Sequence, residues 1–150
     1  MMERAKRSMD TALLMEQYRA LLETVDVLPL EVSGSSMTPF LAPGRDSVLL
    51  AKPGETLRRG DIAFYQRPNG QYILHRVCRA EGESLWFVGD AQDVVEGPLP
   101  RSCVFAYVTA ARRKDRVQKP GVFWWDFFAG PWLCLIGRRQ RILKLYGKLK

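Results

Sequence analysis

One serine in a turn of small residues, one histidine inside an apolar run and three acids just beyond it are the side chains here that can combine into an acyl-transfer site. Ser36 lies in Val32-Ser33-Gly34-Ser35-Ser36-Met37-Thr38-Pro39, a segment that leaves a hydroxyl exposed and backbone N–H groups free, as a nucleophile with an oxyanion hole requires. His75, the only histidine, sits in Tyr72-Ile73-Leu74-His75-Arg76-Val77. An imidazole titrating near its ordinary value of ~6.5 is a usable base at neutral pH. The segment Phe87-Val88-Gly89-Asp90-Ala91-Gln92-Asp93, with Glu96 beyond it, offers a carboxylate to orient that imidazole. Asp90 is the first choice, with Asp93 and Glu96 as rivals. A single histidine excludes a histidine-rich metal site, and Cys78, Cys103 and Cys134 stand too far apart for a zinc cage or a paired disulfide framework. No metal and no cofactor is expected.

These groups must be held by elements, and hydrophobic patterning divides the chain into three. Residues 1–29 carry Leu13, Leu14, Tyr18, Leu21, Leu22 and Val25 at helical spacing, with Asp10 or Thr11 as cap and Pro29 as terminator. Glu16, Arg19, Glu23 and Asp26 interrupt that stretch, so it is neither a secretory signal nor a membrane anchor. Over residues 30–111 the helical period gives way to short β-prone runs at 47–52, 61–66, 72–79, 84–88 and 103–109. Pro43-Gly44, Pro53-Gly54, Pro68-Asn69-Gly70, Glu81-Gly82 and Gly97-Pro98 punctuate them. Asn69-Gly70 predicts a type I′ hairpin joining 61–66 to 72–79 as antiparallel neighbours. At 150 residues and 47% hydrophobic, the chain suits one mainly β domain with a real core, a small antiparallel barrel or folded sheet.

Taken in order, the motifs resemble those of the signal peptidase I family, within the wider group that includes LexA-like self-cleaving repressors. Gly34-Ser35-Ser36-Met37-Thr38-Pro39 is similar to the family's nucleophile box, Gly60-Asp61-Ile62-Ala63-Phe64 to its G-D-I strand, and His75-Arg76-Val77 and Gly89-Asp90 complete the set over about residues 30–110. Most bacterial members have lysine where His75 stands; histidine there resembles the archaeal and endoplasmic-reticulum type. The resemblance implies a signal peptidase/LexA-like fold and a serine endopeptidase that cleaves leader or signal peptides with small residues at −1 and −3. Ser36 would attack, His75 would take and return the proton, the Ser36 N–H would hold the oxyanion and Asp90 would orient the base. Some members add a hydroxyl two residues before the nucleophile. Gly34 stands there, so no such help is expected. The N-terminal transmembrane anchor usual in the family has no counterpart in this sequence.

The last segment, 112–150, differs in kind. The chain carries 23 Lys and Arg against 16 Asp and Glu, a net charge of +7. Eleven of those cations follow Ala111 and are opposed only by Asp115 and Asp126, a surplus of nine that leaves residues 1–111 at −2. Between two basic clusters lies an aromatic-rich apolar run from Gly121 to Ile136, interrupted by Asp126, Gly130 and Pro131 and too short to span a bilayer. Trp132, Leu135, Ile136, Leu143, Tyr146 and Leu149 follow helical steps in a basic amphipathic helix lightly broken by Gly137 and Gly147. Aromatic residues flanked by cations predict peripheral attachment to an anionic membrane surface, so the protein is expected to be membrane-associated without spanning, or cytoplasmic. Core packing of the aromatics and nucleic-acid binding are the competing readings of this tail, the latter not expected. Two other functions compete with the peptidase. A LexA-like self-processing regulator would use lysine at position 75 and needs a helix-turn-helix, for which the first thirty residues are too few. A non-enzymatic membrane-surface or nucleic-acid-binding β-domain would tolerate loss of Ser36 and depend on Arg138, Arg139 and Arg141.

Overall fold

The computed structural model describes residues 13–54 and 57–149, with side chains to 147. The proposed caps Asp10 and Thr11 lie outside the described residues. Helix α1 covers 13–22. The strands are β1 (Leu28–Glu31), β2 (Ser47–Ala51), β3 (Ile62–Gln66), β4 (Tyr72–Glu81), β5 (Ser84–Val88), β6 (Glu96–Pro100), β7 (Val104–Arg113) and β8 (Arg116–Gln118); helices α2 (Phe123–Ala129) and α3 (Arg139–Leu149) follow. The strands form one antiparallel sheet in the order β1-β2-β7-β3-β4-β5-β6, with β8 also on β7. The mainly β expectation holds. Closure into a barrel does not: β1 and β6 are the two ends of the strand order and do not pair with each other.

Both end strands were missed because proline hides them. Pro29 is not the end of a helix but lies in β1, opposite Leu49, and Gly97-Pro98 is not a turn but part of β6. Proline cannot donate to a ladder, so it is tolerated where one side of the strand has no neighbour. The five expected strands match β2, β3, β4, β5 and β7 within a few residues.

The sheet buries both faces, which explains why β3 reads as an unbroken apolar run. Successive side chains alternate between faces. Ile62 and Phe64 join one cluster with Val48, Leu50, Ala106 and Val108, while Ala63 and Tyr65 join another with Val77, Leu85, Phe87 and Val104. The first cluster also takes in Met15 and Leu22 of α1, Trp125 and Phe128 of α2, and Val32, Met37, Phe40 and Leu41 of the segment around Ser36. On α1 the inward face is Met15, Tyr18 and Leu22; Leu13, Leu14 and Leu21 are exposed, as is Val25 beyond the helix end, so the helix is shorter than predicted and rotated from the leucine stripe. No helix among the described residues is long and apolar enough to cross a membrane.

The β3–β4 pairing is as expected, with Ala63 opposite His75, but its turn is different. Gly70 N–H donates to the Arg67 carbonyl and Arg67 N–H to the Gln71 carbonyl, and Gly70 alone there has positive φ, +92°. Pro68 favours a type I turn followed by a left-handed glycine over type I′. The two-residue turn with two positive φ angles is instead Lys114-Asp115, at 51° and 63°, between β7 and β8.

Candidate active site

Ser36 and His75 line the same cavity of about 280 Å³, whose wall is otherwise largely apolar: Met15, Leu30, Val32, Met37, Phe64, Tyr72, Ile73 and Leu74. It lies beside residues 72–75 of β4. The partner strand β5 joins β4 only from Arg76 onward, so among the described residues that stretch has no strand on the side away from β3. No hydrogen bond joins Ser36 to His75 among the described residues.

The Ser36 turn is held from two sides. Thr38 donates to the Ser35 carbonyl through its N–H and its hydroxyl, at 3.2 and 2.8 Å. Arg113 donates to the Phe40 carbonyl at 2.7 Å and the Pro39 carbonyl at 3.3 Å. From the other side Ala91 N–H donates to the Ser36 carbonyl at 2.9 Å. A Cβ at position 89 would lie 2.6 Å from that same carbonyl oxygen, so only glycine allows the 89–92 loop to approach so closely. The Ser36 N–H makes no internal hydrogen bond among the described residues.

Asp90 belongs to this support. It is fully buried, and its two oxygens accept from Arg76 Nε and Nη2, both at 2.8 Å. Arg76 Nη1 donates to the Gly60 carbonyl, while Trp132 Nε1 donates to the Asp90 carbonyl at 2.8 Å. Fully buried Arg139 completes the clamp through the carbonyls of Gly89, Gln92 and Trp132. Burial lowers the Arg139 pKa from its ordinary value. Asp93 is also committed: it accepts from the N–H groups of Gly137 and Gln140 at the start of α3. Neither Asp90 nor Asp93 hydrogen-bonds to His75.

Glu96 is the acid connected to the imidazole, and the connection runs through a residue that sequence reasoning overlooked. Tyr65 hydroxyl donates to Glu96 Oε1 at 2.5 Å and stands 3.4 Å from His75 Nδ1. Arg67 Nε lies 2.7 Å from Glu96 Oε2. The Tyr65 ring stacks on Phe87 with centroids 3.9 Å apart. The signal was available in the register: with Ala63 opposite His75, Tyr65 is the next β3 residue on the same face. Burial, then the nearby Arg67 charge, pushes His75 down from 6.5 to about 4, against smaller opposing effects of Glu96 and Asp90. Burial and the hydrogen bond to Glu96 push Tyr65 up, so it keeps its proton.

The chain matches no family model, no curated protein and no solved structure. Among the described residues no group of three or more His, Cys, Asp or Glu is arranged to hold a metal ion, and the three cysteines are free thiols.

The tail divides its residues between two uses. Trp125, Phe128, Trp132 and Leu133 are core, whereas Phe123 and Trp124 are exposed. The helix expected from Trp132, lightly broken at Gly137, is fully interrupted there: a 3-10 turn (Leu133–Leu135) precedes Gly137, at φ +94°, and α3 begins at Arg139. Arg139, grouped by sequence with Arg138 and Arg141 as a surface cation, is instead a buried brace of the 89–92 loop.

Proposed function

We propose that this chain is a serine endopeptidase of the signal peptidase type that cleaves leader or signal peptides, with Ser36 as nucleophile and His75 as general base. The observation that carries the reading is the shared cavity: a hydroxyl and the sole imidazole border one apolar hollow beside an unpaired strand edge. An extended peptide can add to that edge through its backbone and seat small side chains in the hollow.

The chemistry follows from the groups present. Tyr65 commits its proton to Glu96, so the hydroxyl oxygen is left to accept from His75. The imidazole then carries its proton on Nδ1 and presents the Nε2 lone pair as base. Nε2 takes the Ser36 proton as Oγ attacks the scissile carbonyl; the peptide C–N bond breaks, and the same proton passes to the leaving amine. The Ser36 N–H receives the oxyanion, and water then hydrolyses the acyl-enzyme. In this account Glu96 supplies the orienting carboxylate through Tyr65, and Asp90 is a positioning residue that keeps the Ser36 turn in place.

The test is intact-mass analysis of leader peptides ending in Ala-X-Ala after incubation with the purified chain, Ser36→Ala and His75→Ala. Cleavage by the wild type that falls by about 10³-fold or more in both variants is expected. Equal cleavage by Ser36→Ala would overturn the proposal.

A further inference from the structure

Within the first turn of α3, neighbouring cations have opposite environments. Arg139 is buried, and one turn later Leu143 packs on the core, so these residues define the inner face of the helix. Arg138, Arg141 and Lys144 are exposed, and no acid pairs with any of them among the described residues. Ile142 and Leu145, 38% and 63% exposed, run along the same outward side. This is an apolar stripe edged by cations with no counter-charge of their own.

A second exposed apolar element precedes it in the chain. Phe123 and Trp124 at the start of α2 are 70% and 44% exposed, next in the chain to the exposed cations Arg112, Lys114, Arg116 and Lys119 around β8. Both elements rest on one buried support: Phe123 contacts Phe127 at 6.3 Å, Phe127 contacts buried Trp132 at 6.4 Å, and the buried Arg139 guanidinium on the inner side of α3 lies 5.6 Å from the Trp132 ring.

We propose that the outward face of α3, together with Phe123 and Trp124, docks on an anionic phospholipid bilayer. Ile142, Leu145, Phe123 and Trp124 enter the interface, while Arg138, Arg141 and Lys144 meet headgroup phosphates. A lipid surface supplies both complements in layered order, acyl chains for the apolar groups and phosphates for the cations. Nucleic acid would match the cations but offers nothing to Ile142 and Leu145; an apolar protein groove would leave the cations uncompensated. Eleven residues of helix reach roughly 16 Å, about half of a hydrocarbon core, so α3 lies in the surface and does not cross it. The docking is independent of the peptidase reading.

The experiment is flotation of the purified full chain with phosphatidylglycerol/phosphatidylcholine vesicles, with pure phosphatidylcholine vesicles, and with a DNA duplex as competitor. Binding to the mixed vesicles, lost on pure phosphatidylcholine and weakened by salt, is expected. The triple variant Arg138→Gln/Arg141→Gln/Lys144→Gln should partition roughly a hundredfold less, and Ile142→Ser/Leu145→Ser should also release the protein while keeping its charge. All five positions are exposed, and circular dichroism with an unchanged thermal midpoint verifies that each variant is folded. Equal flotation with neutral vesicles, unchanged flotation of either variant, no flotation at all, or displacement from vesicles by DNA with Ile142→Ser/Leu145→Ser binding DNA as well as the wild type would each overturn the proposal.

Discussion

Two arginine–carboxylate pairs lie near His75, and they are built for different work. Arg76–Asp90 is completely buried, joined by two 2.8 Å hydrogen bonds, and surrounded by backbone groups that the pair helps to satisfy. Arg67–Glu96 is 28% and 30% exposed, and the second carboxylate oxygen is given to Tyr65 beside His75. A dry ion pair with every polar atom engaged resists any change in charge, because an orphaned partner would remain buried. A partly exposed pair hydrogen-bonded toward an imidazole can respond when that imidazole takes up a proton. Chemical type is the same in the two places; solvent and neighbours divide them into scaffold and auxiliary.

The comparison breaks most readily at the scaffold. Asp90→Asn leaves Arg76 charged and buried, and is expected to cost about 3–5 kcal/mol of unfolding free energy in urea titration. A loss below about 1 kcal/mol, with cleavage alone abolished, would return Asp90 to the role of orienting acid. Next in size is the buried imidazole. The unfolded His75, near 6.5, binds a proton before the folded one, near 4, so stability is full above about pH 6.5 and declines as pH falls toward 4. The decline attributable to His75 is about 3 kcal/mol; it should be absent from His75→Gln and so appear as the difference between the two stability profiles across that range. A smaller effect belongs to Glu96. Glu96→Gln and Tyr65→Phe should each lower the cleavage rate by roughly tenfold to a hundredfold, with stability changed far less than by Asp90→Asn. If Glu96→Gln cleaves at the wild-type rate, the two pairs do not differ in the way proposed.

Much of the sheet was legible because β2, β3, β4, β5 and β7 carry β-branched and aromatic runs between turn residues. The edges were not, since Pro29 and Gly97-Pro98 carry turn chemistry in strands that need only one neighbour. On the site, residue type and the resemblance of the motifs, in their order, to a known family singled out Ser36 and His75, which both line one cavity. Choosing among Asp90, Asp93 and Glu96 required knowing which carboxylate already had partners, and those partners, Arg76 and the α3 N–H groups, come from other elements. Arg139 was misjudged for the same reason. Its place in a basic run suggested solvent, but its guanidinium ends among loop carbonyls far away in sequence.

The most direct test of the account is the pH dependence of kcat/KM for a cleaved leader peptide, for the wild type and His75→Gln. A histidine held near its ordinary value would give a rising limb at ~6.5. Burial beside Arg67 moves the expected limb to about 4, with a plateau through neutrality, and His75→Gln should remove both the limb and nearly all activity. A limb that persists in His75→Gln would contradict His75 as the base.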